Sequence, residues 1–330
     1  MEAIWERFRQ LRIAVVGDVI LDHYIWGTVD RIAPEAPVPL LDVSGESHRL
    51  GGAGNVALNL SRLGIRVSLS GRVGDDPWER VCTTLLGEAG IEWLGGMLGS
   101  SPGTILKTRV VAQNQQLCRL DREGRRGDYA IGDPARKHLV AMLLEKSDAI
   151  LLSDYAKGVI DNALLGDLRE GCREREIPLY CDPKPKRWRD FSGLDLLTPN
   201  RMEAVVMSGM EWDPKDAYPA EEIVAGIEKR YGPRHLVITL GPEGMLYAEG
   251  GRIGGIVPAS AREVYDVSGA GDTVIAVLSA ALLAGADLET SVRLANVAAG
   301  VVVGKLGTAS LEREDLLAAW RHREGRTDQA

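Results

Sequence analysis

Short apolar runs alternate with helical patterns along most of the chain. The runs are continuous, and they lie at residues 12–17, 66–71, 149–153, 178–182, 194–198 and 235–240. Strands that are covered on both faces of a sheet have this character. They are separated by helical patterns at residues 55–63, 77–89, 134–146, 163–175 and 220–231. The alternation predicts an α/β fold with a mostly parallel central sheet and right-handed crossovers.

Two segments, residues 24–43 and 104–121, break this alternation because they have strand character and no intervening helix. We interpret them as a small antiparallel sheet, a lid formed by about 24–48 and 103–122 and set against the main sheet. A lone small sheet is only marginally stable. Its apolar face is therefore expected to pack on another surface, such as the same lid of a second subunit.

Composition and charge narrow the class of protein. The chain has 330 residues, a net charge of −8 and 26% charged residues, which is ordinary for a soluble globular protein and argues against a general binder of nucleic acid or anionic membranes. Four widely spaced cysteines indicate reduced thiols. No leader or membrane span is evident, so we expect a cytoplasmic protein without nucleic-acid or membrane partners. No linker or repeat divides the chain, so a single domain over residues 1–330 is expected.

The segment 266–272, Asp-Val-Ser-Gly-Ala-Gly-Asp, precedes a long apolar helical pattern. Gly269, Ala270 and Gly271 would open that helix, where the first backbone N–H groups lack intrahelical partners and the dipole is positive. Such a terminus binds anions, and glycines let a phosphate approach the backbone. Asp272 would repel a phosphate that merely had to be held. We therefore interpret it as a general base for an incoming hydroxyl; the alternative is an acidic residue that complements the dipole.

Polar residues also follow other predicted strands. Asp18 and Asp22 follow the first strand and suit hydrogen bonds to sugar hydroxyls, although either could be a loop or cap residue. Gly51, Gly52 and Asn55 open another helix. There, close approach of a ligand and tight helix–sheet packing explain the glycines equally well.

Asn200 and Glu203 follow a later strand. Asn200 could cap the next helix, and Glu203 could hold a water on Mg²⁺ near phosphates. The segment 239–244 is either a plain turn or a nucleotide contact made together with Asn200, Gly271 and Lys305. Polar strand ends that converge on one edge of a sheet predict a single large site.

Taken together, the Gly-Gly segment at 51–55, the Asn200-x-x-Glu203 pair and Gly-Ala-Gly-Asp at 269–272 resemble the ribokinase-like (pfkB) sugar kinases over essentially the whole chain. The resemblance implies a ribokinase-like three-layer sandwich with a small β-sheet lid. Within the family, heptose 7-phosphate kinases, the kinase part of bacterial ADP-heptose synthesis proteins, are most similar in the runs 31–39, 114–121, 153–158 and 300–308.

The resemblance implies that the γ-phosphate of ATP is transferred, with Mg²⁺, to O1 of D-glycero-β-D-manno-heptose 7-phosphate for lipopolysaccharide core synthesis. Asp272 would be the base, beside an anion hole at 269–271. The ATP–Mg²⁺ side would comprise Asn200, Glu203, Thr239, Gly241, Gly244, Asn296 and Lys305. The sugar side would comprise Asp18, Asp22, Gly51, Gly52 and Asn55. No His-x-Gly-His motif of a nucleotidyltransferase domain is present, so the second reaction of many relatives is expected to reside in another polypeptide.

A substrate that already carries a phosphate needs cations to bind it. The candidates are Lys107, Arg109, Arg119, Lys157 and Lys184. Each could instead be a solvated surface charge. Two alternatives for function stay open at this point. One is a kinase of the same fold for fructose 6-phosphate or ribose, and the other is a non-catalytic sugar-phosphate binder, in which a missing Asp272 or a broken Gly-Ala-Gly would be expected.

Overall fold

The computed structural model describes residues 2–99, 103–113, 115–125, 127–185, 189–260, 267–304 and 310–327. Its strands are β1 (Arg12–Gly17), β2 (Val19–Ile32), β3 (Pro39–Gly52), β4 (Arg66–Ser70), β5 (Glu92–Trp93), β6 (Ile105–Ala112), β7 (Gln115–Arg122), β8 (Ala149–Ser153), β9 (Leu179–Asp182), β10 (Leu196–Leu197), β11 (His235–Thr239), β12 (Met245–Glu249) and β13 (Arg252–Val257). Its helices are α1 (Glu2–Phe8), α2 (Ala53–Arg62), α3 (Pro77–Glu88), α4 (Asp133–Lys146), α5 (Asn162–Arg175), α6 (Arg201–Ser208), α7 (Ala220–Tyr231), α8 (Ala270–Leu283), α9 (Leu288–Val303) and α10 (Arg313–Thr327).

Side-chain caps fix where several helices begin. Asp76 accepts hydrogen bonds from the backbone N–H groups of Trp78 and Glu79 at the start of α3, and Pro77 occupies the first turn. Asp161 caps α5 in the same way through Leu164. These side chains satisfy backbone donors that have no partner inside the helix.

The main sheet has nine strands in the order β13-β12-β11-β10-β9-β8-β1-β4-β5. Neighbours from β11 to β5 pair in parallel, whereas β12 and β13 add antiparallel strands at one edge. The predicted α/β architecture with a mostly parallel central sheet is confirmed. Parallel strands end at the same side of the sheet, so the loops after β1, β8, β9, β10 and β11 lie at one edge.

Two apolar clusters cover the two faces of this sheet. Along β1, Ile13 and Val15 belong to one cluster, while Ala14 and Val16 belong to the other. Helices α2, α8 and α9 supply the first cluster, and α4, α5, α6 and α7 supply the second. The result is a three-layer arrangement, which explains why the strands read as continuous apolar runs. None of the described helices combines the length and the apolar character needed to cross a bilayer.

A second, four-stranded sheet has the order β3-β2-β6-β7. It contains the two segments expected to form a lid. Its strands extend beyond the expected bounds, because β2 begins at Val19 and β3 ends at Gly52. The β2–β3 and β6–β7 pairs are antiparallel, but β2 and β6 run parallel. This pairing differs from the expected antiparallel sheet. Because a long crossover through α2, α3 and β5 separates β2 from β6, no tight turn forces them to run in opposite directions.

Candidate active site

Polar side chains gather where the parallel strands end. Asp18 follows β1, Asp154 and Tyr155 follow β8, Asp182 ends β9 and Thr239 ends β11. Helix α8 approaches the same edge, because its first-turn residue Asp272 is hydrogen-bonded to Tyr155. The convergence expected from the sequence is therefore present in the structure.

Asp272 lies in the first turn of α8, and its side chain is buried, with 3% of the residue exposed. The Asn55 Nδ2 donates to Oδ2 of Asp272 at 2.7 Å, and the Tyr155 hydroxyl donates to Oδ1 at 2.6 Å. Asn55 belongs to α2 and Tyr155 to the loop after β8. Two elements that are distant in sequence thus fix the orientation of this carboxylate.

Burial raises the pKa of Asp272 to about 6, while the hydrogen bonds from Tyr155 and Asn55 oppose that rise. The charge of Asp22 raises the pKa further, and that of Lys107 lowers it. A carboxylate with this pKa is mostly ionised at neutral pH and is a stronger base than an ordinary aspartate. Its chemistry suits the acceptance of a proton from a hydroxyl.

At the start of α8, two backbone N–H groups have no hydrogen-bond acceptor among the residues that the structure describes. Ala270 N–H donates to Val267 O at 3.2 Å and Thr273 N–H to Gly269 O at 3.0 Å. The intervening amides of Gly271 and Asp272 occupy positions for which an α-helix provides no carbonyl. A Cβ on Gly271 would meet no atom within 4 Å. An anion can therefore approach these amides, next to the Asp272 carboxylate.

A cavity of about 320 Å³ lies on one side of Gly271, between the turn after β11 and helices α8 and α9. Its wall includes four residues predicted to contact the nucleotide: Thr239, Gly241, Gly244 and Asn296. Asn296 Nδ2 donates to the carbonyl of Pro258 at 2.6 Å, which fixes one wall. Val274 and Val303 supply apolar surface. The cavity has the size and apolar lining that a nucleoside requires.

A second cavity of about 170 Å³ adjoins the first and shares Thr239, Gly271 and Val274 with it. Its wall is far more polar and includes Tyr155, Asp182, Lys184, Asn200 and Glu203. Gly271 thus separates an apolar compartment from a charged one. This division matches the two parts of a nucleoside phosphate.

Asn200 and Glu203 form a capping box at the start of α6. Asn200 Oδ1 accepts from Glu203 N–H at 3.0 Å, and Glu203 Oε2 accepts from Asn200 N–H at 2.9 Å. Lys184 Nζ lies 2.6 Å from Glu203 Oε1. Asn200 therefore caps α6, which is the alternative that the sequence left open for this residue. Lys184 was expected on the sugar side but lies beside Glu203 in the charged cavity, because the end of β9 is next to β10 and α6.

Asp18 was expected to contact sugar hydroxyls, but its carboxylate is hydrogen-bonded to the backbone of a neighbouring loop. Its carboxylate is fully buried and accepts hydrogen bonds from three backbone N–H groups, those of Tyr155, Lys157 and Val159, at 2.9 to 3.0 Å. These bonds hold the loop after β8 against the end of β1. Asp18 therefore acts as the loop residue that the sequence offered as its alternative.

Three glycines that were predicted to contact ligands are also required by packing. Gly244 has φ 101°, and a Cβ there would lie 2.0 Å from the Val257 carbonyl oxygen. A Cβ on Gly51 would lie 2.6 Å from the carboxylate of Asp22, and Gly52 has φ 57°. Tight packing, the alternative explanation that the sequence offered for the Gly-Gly segment, therefore applies at Gly51 and Gly52.

Four of the five cations proposed for a substrate phosphate lie near one another, because the charges of Arg109, Arg119 and Lys157 all act on Lys107. Burial lowers the pKa of Lys107, Asp22 raises it, and the charges of Lys157, Arg109 and Arg119 lower it. The Arg109 guanidinium lies 2.5 Å from Asp22 Oδ1. Lys107 forms no salt bridge with any residue that the structure describes, and its ammonium lies 5.5 Å from the Tyr155 ring centroid. We call Lys107, Arg109, Arg119 and Lys157 the cation cluster.

Sequence reasoning missed Tyr155 as a site residue, although it noted the polar segment that contains it. Its contact with Asp272 joins residues that are 117 positions apart, so no local sequence pattern could predict that contact. Asn59 was also missed; its Nδ2 donates to the carbonyl of Asn55 at 2.9 Å and supports the residue that contacts Asp272. Lys305, predicted to contact the nucleotide, lies outside the described residues.

The model of the pfkB family of carbohydrate kinases matches residues 10–315 of the chain. The chain belongs to the pfkB carbohydrate kinase family. It is therefore an enzyme of the sugar kinase class, a phosphotransferase, as the sequence predicted.

Curated relatives of this pfkB kinase are similar along almost its whole length. It is 41% identical over 322 residues to "Bifunctional protein HldE" of Magnetococcus marinus, with 97% of the chain and 66% of that protein covered. It is also 41% identical over 333 residues to the protein of the same name from Geobacter sulfurreducens, with 98% of the chain and 66% of that protein covered. The chain thus spans about two thirds of the length of these relatives.

Solved structures of pfkB-like kinases share the fold. Phosphofructokinase-2 from Escherichia coli in complex with potassium has a TM-score of 0.76 at 20% identity, covering 94% of this chain and 99% of that one. A putative ribokinase from Agrobacterium tumefaciens has a TM-score of 0.73 at 20% identity, covering 95% of this chain and 99% of that one. These similarities confirm the predicted ribokinase-like fold.

Proposed function

We propose that this pfkB kinase transfers the γ-phosphate of ATP to O1 of D-glycero-β-D-manno-heptose 7-phosphate. The observation that carries the proposal is Lys107 of the cation cluster, whose charge acts on Asp272 and which lines neither of the two cavities. Arg109, Arg119 and Lys157 pair with Asp22, Asp121 and Glu123. Lys107 has no carboxylate partner in a salt bridge among the described residues, and a phosphate on the sugar would supply an anionic partner for it. Similarity to proteins named HldE, and to heptose 7-phosphate kinases in the four quoted runs, supports this substrate.

In the proposed reaction, Asp272 accepts the proton of the O1 hydroxyl as the O1 oxygen bonds to the γ-phosphorus. The bond between that phosphorus and the oxygen bridging to the β-phosphate breaks, and ADP leaves. The unpaired amides of Gly271 and Asp272 stabilise the negative charge of the phosphoryl group. The base and the donors lie in one helical turn, so the backbone of α8 fixes their relative positions.

The nucleotide is proposed to occupy the two adjoining cavities, with its base near Val303 and its phosphates toward Lys184. Residues around the charged cavity fit Mg²⁺. Burial raises the pKa of Asp182 well above its ordinary value, and the negative charges of Glu203 and Asp272 raise it further. A divalent cation would relieve this repulsion. Glu203 would hold Mg²⁺ through a water, and bound Mg²⁺ would neutralise charge on the phosphates.

A comparison of substrates tests the proposal. ADP release is measured with heptose 7-phosphate, the same heptose without its phosphate, fructose 6-phosphate and ribose. We expect kcat/KM to be highest for heptose 7-phosphate and to fall when its phosphate is removed, because the cation cluster then loses its partner. A higher kcat/KM for fructose 6-phosphate or ribose would overturn the heptose assignment and favour a pfkB kinase for another sugar.

A matched pair of variants tests the cation cluster. Lys107→Gln should raise KM for heptose 7-phosphate by about 10–100-fold, the effect of losing one charged hydrogen bond, and should leave KM for ATP unchanged. Lys137→Gln is the control, because Lys137 is exposed and pairs with Asp133 within α4. If the two variants had the same KM for heptose 7-phosphate, the proposed phosphate site would be contradicted.

We also propose that two copies of the chain pair through the second sheet. Half of the exposed large hydrophobic residues among those described lie on its strands or connecting turns: Ile32, Val38, Val43, Leu117 and Leu120. Apolar residues concentrated on a small sheet favour a protein partner that covers them, and a second identical lid is the partner that the sequence predicted.

A further inference from the structure

The Tyr155 hydroxyl contacts the carboxylate that is proposed to act as the base. We propose that Tyr155 is a positioning residue that holds Asp272 ionised and correctly oriented for proton transfer. This inference rests on the proposed function, in which Asp272 is the base. It assigns to the Tyr155 hydroxyl a function in the chemical step, in addition to the place of Tyr155 in the wall of the charged cavity.

The hydrogen bond has a fixed direction. Burial raises the pKa of Tyr155 well above its ordinary value, and the charge of Asp272 raises it further. The phenol therefore stays protonated and donates its hydrogen to Asp272 Oδ1, at 2.6 Å. A carboxylate oxygen has two acceptor positions, so Oδ1 can receive the Tyr155 hydrogen and still accept a proton from a sugar hydroxyl. Tyr155 thus leaves the base function to Asp272.

Tyr155 is itself held from two sides. Its backbone N–H donates to Asp18 Oδ2 at 3.0 Å, and Asp18 is fully buried at the end of β1. The ammonium of Lys107 lies 5.5 Å from the centroid of its ring. A backbone anchor on one sheet and a cation contact from the other restrict the ring, so the phenol is presented to Asp272 with little freedom. Such preorganisation is what a catalytic carboxylate needs.

The hydrogen bond also favours the ionised form of Asp272. Burial and the negative charge of Asp22 favour the protonated acid, whereas the donors Tyr155 and Asn55 and the charge of Lys107 favour the carboxylate. Asp182 also lies close enough for its own pKa to be raised by Asp272. Of these groups, Tyr155 can lose its donor with the least change in shape. Removal of its hydroxyl should therefore move the pKa of Asp272 upward.

The test is the pH dependence of kcat/KM for the Tyr155→Phe enzyme. We expect kcat to fall about tenfold and the acid limb of the profile to move to higher pH by about one pH unit, because one hydrogen bond to the ionised base is lost. KM for ATP should stay the same. Tyr218→Phe is the control, since Tyr218 also has a buried hydroxyl, but one without a hydrogen-bond partner among the described residues; that variant should match the wild type.

Two results would overturn the inference. One is an acid limb that stays in place in Tyr155→Phe, whatever the rate, because a purely structural role would lower the rate without moving the limb. The other is a wild-type rate in Asp272→Asn, measured in parallel, which would remove the proposed base as well. A slow Asp272→Asn enzyme combined with an unchanged Tyr155→Phe profile would reject Tyr155 alone and leave the proposed function intact.

Discussion

At the scale of single residues, Asp272 combines burial with hydrogen bonds from two side-chain donors among the described residues. Its raised pKa means that folding disfavours its ionised form. A group of this kind stabilises the folded state least where it is fully ionised. Carboxyl groups with a strongly raised pKa occur preferentially at functional sites. Asn55 and Tyr155 offset part of it and fix the carboxylate in place.

This environment makes a prediction for stability as a function of pH. The folded-state pKa of Asp272 is about 6, above the ordinary value of 3.8, so the unfolded chain releases this proton at a lower pH than the folded protein does. The destabilisation should be absent below pH 3.8, should grow as pH rises, and should be complete above pH 6. Asp272→Asn removes the charge and should raise the free energy of unfolding by about 3 kcal/mol at pH 7.5.

Urea denaturation of wild type and Asp272→Asn at pH 5.0 and 7.5 measures the effect. The stabilisation by the variant should be larger at pH 7.5 than at pH 5.0. Asp287→Asn is the control, because hydrogen bonds with Thr290 lower the pKa of Asp287 and give the opposite linkage. An Asp272→Asn protein that is less stable at pH 7.5 than the wild type would contradict the raised pKa.

At the scale of elements, the start of α8 separates the apolar cavity from the charged one. Gly271 lines both, and a Cβ there would enter open space. We predict that Gly271→Ala folds with unchanged or slightly increased stability, since alanine suits a helix better than glycine. Its affinity for ATP should fall at least tenfold, because the methyl group occupies the path of the phosphates.

Gly166→Ala is the matched control for that prediction. Gly166 lies inside α5, also with no atom within 4 Å of an added Cβ, and it lines neither of the two cavities. Both variants should melt at or above the wild-type temperature, but only Gly271→Ala should bind ATP weakly in calorimetric titration. Equal ATP affinity in the two variants would place the nucleotide elsewhere.

Local sequence patterns predicted most of the elements and the start of α8. The continuous apolar runs of β1, β8 and β11 report burial on both faces, which is a local property. Contacts between distant segments were not predictable in this way. The hydrogen bond of Tyr155 to Asp272, the three amides on Asp18 and the parallel pairing of β2 with β6 each depend on how the whole sheet assembles. The contact of Lys184 with Glu203 depends on this assembly as well.

At the scale of the whole molecule, the second sheet carries three members of the cation cluster, Lys107, Arg109 and Arg119, and also exposes apolar side chains. We predict that Leu120→Glu, which adds a charge at a residue that is 59% exposed, weakens dimerisation at least tenfold in sedimentation equilibrium. Met202→Glu on α6, where the methionine is 51% exposed, should leave dimerisation unchanged. A wild-type protein that is monomeric at micromolar concentrations would contradict pairing through this sheet.

Asp272 is proposed to remove a proton from a sugar hydroxyl beside the backbone amides at the start of α8. The most direct measurement is the single-turnover rate of ADP formation by Asp272→Asn with saturating ATP and heptose 7-phosphate. The variant should react about 10²–10⁴ times more slowly than the wild type while binding ATP with the same affinity. A rate equal to that of the wild type would show that the proton leaves by another route and would contradict the account.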